Sequence, residues 1–125
     1  MSKFRFAGDF AAIHQPDYRR MAKDENISPR HIRVHFAALG YGNQIGHAEF
    51  GQGELAQILG VGYGRDADKA AHKAVAAAKA LGLVLPESGL RCLVLPHTQF
   101  QKGKGTVSCA YHGARIGDVY RTVPL

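Results

Sequence analysis

Residues 53–84 read GELAQILGVGYGRDADKAAHKAVAAAKALGLV. Leu55, Ile58 and Leu59 fall on one side of a short helix, and Gly60 supplies the left-handed residue at which such a helix stops. The glycine-bearing stretch after it reads as a connection between two helices. Asp66 and Asp68 offer an N-cap and favourable negative charge at the start of a second helix, predicted to run to about Leu81. Its faces separate: Ala71, Ala74, Val75, Ala78 and Leu81 repeat as a small apolar stripe, and Lys69, His72, Lys73, Ala76 and Lys79 repeat on another side.

Upstream, Ser28 followed by Pro29 is a helix start, with serine as cap and proline at the first helical position. Ile32, Phe36 and Leu39 then form an apolar stripe, with Arg30 and Arg33 elsewhere on the surface. Before it lies an arm carrying Phe4, Phe6, Phe10 and Ile13, and Asp17 is a cap candidate for a helix containing Tyr18 and Met21. Downstream, Gly82 ends the long helix. The apolar runs Leu83-Val84-Leu85 and Leu90-Arg91-Cys92-Leu93-Val94-Leu95, separated by Pro86-Glu87-Ser88-Gly89, read as a β-hairpin. The segment from Pro96 to Gly105, with Lys102 and Lys104 flanked by glycines, reads as a mobile basic loop, and the last twenty residues carry no clear signal. The fold class is α+β: an arm at 1–27, a three-helix and hairpin domain at 28–96 sharing a core of Leu55, Ile58, Val75, Leu81 and Val84, and a basic extension at 97–125.

ELAQILG at 54–60 resembles the short second helix of bacterial helix-turn-helix regulators, and AKALGLV at 78–84 resembles the exit of their recognition helix into the wing. The resemblance spans 29–96 and points to winged helix-turn-helix DNA-binding proteins, most like uncharacterised members from actinobacteria and their phages. The connection at 61–66 is longer than the tight turn common in that family. The resemblance implies a three-helix core with a β-hairpin wing, acting as a transcriptional regulator or an accessory factor of phage or mobile-element replication.

Charge supports a polyanionic partner independently of the name. The 125 residues carry a formal net charge of +6. Seven Lys/Arg and six Asp/Glu lie in residues 1–64, against nine and four in 65–125, so the excess is in the second half. A helix fits the major groove of B-form DNA, where a basic outer face supplies base-edge donors and neutralises phosphates. Lys69, His72 and Lys73, in the first two turns, are the base-facing candidates for double-stranded DNA. Arg65, Lys79, Arg91, Lys102 and Lys104 are the phosphate-contacting candidates. The alternative is a winged-helix protein-interaction module in which this stripe is incidental, or simply a solvated helix face.

Other chemistry is sparser. Cys92, His97, Cys109 and His112 form a C-x4-H-x11-C-x2-H array of zinc-ligand types, but Cys92 inside an apolar strand reads as a buried reduced thiol that packs, so no metal is expected. Gly60–Gly64, GVGYG, lacks the Gly-Lys-Ser/Thr ending of a phosphate loop, and His31 and His35 lack the glutamate of a zinc-protease helix. No cofactor loop or convergent set of acids, bases and nucleophiles appears, so an enzyme is not expected. Two cysteines make no disulfide scaffold, and no apolar run approaches the ~20 residues of a membrane span. A cytoplasmic protein is expected, either a monomer or a homodimer paired through its phenylalanine-bearing arm.

Overall fold

The structure, a computed structural model, describes residues 8–101, 103 and 105–115. The described residues form an α+β unit with α1 (Gln15–Ala22), α2 (Arg30–Tyr41), β1 (His47–Glu49), α3 (Glu54–Ile58), α4 (Arg65–Ala80), β2 (Cys92–Val94), β3 (Ser108–Cys109) and β4 (Ala114–Arg115). β1 and β2 pair antiparallel, with His47 opposite Val94 and Glu49 opposite Cys92, and β3 pairs antiparallel with β4. Among the described residues no helix is long and apolar enough to cross a membrane.

The stretch 53–84 folds as its sequence predicts, with local corrections. α3 and α4 end in the same device. The Gly60 and Val61 amides bond the Gln57 and Ala56 carbonyls, and the Gly82 and Leu83 amides bond those of Lys79 and Ala78. This is the Schellman arrangement, which needs a left-handed residue, and Gly60 (φ +74°) and Gly82 (φ +72°) supply it. Gly64, at φ 90° and ψ −169°, precedes α4 in a region that only glycine occupies readily. Asp66 and Asp68 therefore do not cap α4; they lie in its first turn, where their charge still favours the helix dipole. Ala67, Ala71, Ala74, Val75 and Ala78 are buried as a slim face, whereas Leu81, expected in the core, is the C-cap residue and is 62% exposed. Leu55, Ile58, Val75 and Val84 do share one core.

α2 differs more from its reading. It begins at Arg30 with Pro29 as N-cap, so Ser28 lies one residue outside. Arg33, Val34, Ala37, Ala38 and Gly40 are its buried positions, while Ile32, Phe36 and Leu39 are only partly buried. The reason is that α2 packs against α1, α4 and β1 together, so small residues fill the contact and large ones border it. A Cβ on Gly40 would lie 2.6 Å from the Arg19 backbone nitrogen, which is how closely α1 approaches. Phe36 meets Tyr18 edge-on at 5.6 Å. α1 starts at Gln15 with His14 as N-cap, and Asp17 sits in its first turn, bonded back to His14, rather than capping it.

α1 docks by satisfying carbonyls that a helix end leaves free. Gln15 Nε2 donates to the Leu39 and Gly42 carbonyls at 2.9 Å, and Arg19 Nε donates to that of Gly40 at 2.6 Å. Arg33 does the same from within: its Nη1 donates to the Ala22 carbonyl at the end of α1 and to the Leu59 carbonyl at the end of α3.

β2 explains the continuous apolar run 92–95. Leu93 and Leu95 enter the main core with α2, α3 and α4, and Cys92 and Val94 turn the other way into a smaller cluster with Ile45 and Cys109. The strand paired with β2 is β1, not the 83–85 segment of the expected hairpin. That segment contributes a single bond along this edge, Leu85 N–H to the Val94 carbonyl at 2.8 Å, and a bridge between Gly89 and Cys92 closes the turn. At the start of the expected mobile loop, Phe100 is 6% exposed and packs beside Gly42 and Gly46.

Candidate metal centre and basic helix face

Four side chains from distant parts of the sequence converge at the edge of the small cluster: His47 of β1, Cys92 of β2, Cys109 of β3 and His112 of the turn after it. All four ligand atoms lie within 4.8 Å of one another. Cys92 Sγ is 3.6 Å from His47 Nδ1 and 3.6 Å from Cys109 Sγ, which is itself 3.6 Å from His112 Nδ1. The His47 and His112 rings meet edge-on at 5.1 Å. His47, Cys92 and Cys109 are buried and His112 is partly so.

Local structure fixes each donor. Asn43 Oδ1 accepts the Ile45 and His47 amides, and its Nδ2 donates to Thr106 Oγ1 and the Ser108 carbonyl, so one buried side chain holds the approaches to His47 and to Cys109. Glu49, on the same side of β1 as His47, accepts the Ala110 amide at 2.8 Å and the Tyr111 amide at 3.5 Å, anchoring the turn between the last two donors. Within it the His112 amide donates to Cys109 Sγ at 3.3 Å. His112 Nε2 lies 3.0 Å from the Glu87 carbonyl. A carbonyl only accepts, so Nε2 carries the proton and Nδ1 faces the cluster with its lone pair free.

Burial sets the charge of this group. It holds the His47 imidazole down to about 4, with His112 and His97 adding repulsion. It pushes the Cys92 thiol well above its ordinary range, reinforced by Cys109, and it raises Cys109. Left to itself the cluster therefore has a neutral His47 and two neutral thiols.

Of the C-x4-H-x11-C-x2-H array, Cys92, Cys109 and His112 come together and His97 does not. His97 is close enough to lower the His47 pKa, but its own Nδ1 is buried with no partner among the described residues. The fourth member is His47, which nothing in the spacing of the other three selects. His31 and His35 are partly buried, with His35 Nδ1 3.2 Å from the Leu83 carbonyl, and among the described residues they join no such group.

The sequence-predicted DNA-facing residues form a separate surface. Arg65, Lys69, His72 and Lys73 are exposed along α4, with exposed Ala76 and Ala80 beyond them, and Lys79 in the last turn is partly buried. Among the described residues the ion pairs are confined to α1, so none of these cations is ion-paired, though Asp66 and Asp68 lie in the first turn beside Arg65 and Lys69. Arg91 is exposed beside β2, its Nε donating to the Phe50 carbonyl at 3.0 Å. Lys102 and Lys104 lie outside the described residues. The Gly60–Gly64 loop joins α3 to α4, as the sequence indicates. Comparison with protein-family models, curated proteins and solved structures returns no match for this chain.

Proposed function

We propose that this chain is a double-stranded DNA-binding protein of winged helix-turn-helix type, with α4 as the helix that enters the major groove. The observation that carries the reading is the exposed line Arg65, Lys69 and Lys73, cations at four-residue steps that form no ion pair among the described residues, although Asp66 and Asp68 lie in the first turn of the same helix. Lys69 and Lys73, one turn apart, repel, and a phosphate backbone removes that cost. His72 lies beside them, and Ala76 and Ala80 keep the outer face low, so α4, about 24 Å long at 1.5 Å per residue, can approach the groove floor.

The element order lends further support. Helix α2, short α3 and long α4 keep the order of the three helices that the resemblance implies, while β2 pairs with β1 in place of the expected hairpin. In this reading Lys69, His72 and Lys73 face bases, and Arg65, Lys79, Arg91, Lys102 and Lys104 face phosphates. A regulatory or replication-accessory role is what the family resemblance implies.

The test is fluorescence anisotropy with labelled preferred and random duplexes at two salt concentrations. Affinity should fall with salt, by about 0.9 in the log–log slope per phosphate contact. Lys73→Ala should cost roughly 1–3 kcal/mol selectively on the preferred duplex, whereas Lys102→Ala or Lys104→Ala should weaken all duplexes alike and flatten the slope. Unchanged binding by the Lys69→Ala/Lys73→Ala protein would remove α4 from the surface and favour a protein-interaction module.

A further inference from the structure

We propose that His47, Cys92, Cys109 and His112 are the ligands of one zinc ion, a structural centre that joins the β1–β2 pair to the β3–β4 turn. The distances carry the inference. With Zn–S of about 2.3 Å and Zn–N of about 2.05 Å, a tetrahedral ion sets its sulfur and nitrogen ligands about 3.6 Å apart and its two sulfurs about 3.8 Å apart. The two S···N separations and the S···S separation here are each 3.6 Å. Thiol hydrogen bonds can also span 3.6 Å, but the remaining pairs of ligand atoms lie within 4.8 Å as well, so all four donors converge on one point and a slight contraction closes them round an ion; two sulfurs at this distance are not joined as a disulfide.

The donor chemistry agrees. Two cysteines and two histidines in a tetrahedron are a zinc set, softer than calcium or magnesium accept and without the methionine of an electron-transfer copper site. As the two S–Zn bonds form, each thiol releases its proton to solvent, and the imidazoles bind through Nδ1 without losing one. Two thiolates balance the dipositive ion, so the filled centre is neutral, which suits its burial. The His112 ring proton on the Glu87 carbonyl and the amide donated to Cys109 Sγ are the supports that metal ligands ordinarily have behind them. Four protein ligands leave no open position, so the centre is structural rather than catalytic.

The experiment is elemental analysis of the full chain purified from zinc-supplied medium, followed by cobalt(II) exchange. The expected result is one zinc per chain and, with cobalt, the visible bands of a tetrahedral ion together with thiolate-to-metal charge transfer. His97→Ala should keep the full equivalent. His47→Ala and the partly exposed His112→Ala should lose it or alter the cobalt spectrum, with circular dichroism reporting whether each variant folds. Wild-type protein without stoichiometric metal, or with a Cys92–Cys109 disulfide by mass, overturns the proposal. A zinc equivalent that survives His47→Ala but is lost in His97→Ala overturns this ligand set in favour of the one suggested by sequence spacing. The Lys69→Ala/Lys73→Ala protein should keep its zinc, so failure of the DNA reading and failure of this one are told apart.

Discussion

At the scale of single residues, Arg33 shows how a charged side chain can belong to a core. It is 5% exposed, and among the described residues no acid pairs with it. Its partners are the terminal carbonyls of α1 and α3, each at the negative end of a helix dipole, so two helix ends together do the work of a counter-ion. Arg33→Met should lower stability in urea unfolding by about 2–4 kcal/mol, because both carbonyls lose a charged donor inside the protein. The exposed Arg30→Ala should stay within about 0.5 kcal/mol, and equal effects from the two variants would contradict this role. Helical periodicity put Arg33 on the surface, since a polar residue beside an apolar stripe gives no hint that two other helix ends will meet it.

At the scale of elements, legibility follows the range of the forces involved. α3, α4 and their glycine stops could be read because a Schellman end, a dipole-matched first turn and an alanine stripe are all encoded within a few residues. Gly64 is the sharpest local requirement: Gly64→Ala should cost on the order of 1–3 kcal/mol, since its φ and ψ lie where alanine is strained while a Cβ would meet nothing nearby. Thermal unfolding measures this, and an unchanged midpoint would mean that the loop relaxes freely. The hairpin was misread for a complementary reason. The run 90–95 announces a buried strand, but periodicity does not say which strand pairs with it, and its partner β1 is only three residues long.

At the scale of the whole molecule, the described residues just after Pro96 are part of the fold. Phe100 fills the space beside Gly42 and Gly46, and Phe100→Ala should therefore cost about 3–5 kcal/mol and raise protease cleavage within 97–115. Cleavage and stability like wild type would show that the segment is only laid on the surface. By itself the sequence determined the α+β class, the α3–loop–α4 unit, the slim buried face of α4 and its basic outer face, all consequences of local spacing and capping. It also contained three of the four converging donors, in Cys92, Cys109 and His112. Only the tertiary structure decided that the fourth is His47 and not His97: ligand geometry depends on distance in space, and antiparallel pairing of β1 with β2 brings together residues 45 positions apart while His97, five positions from Cys92, stands outside the group.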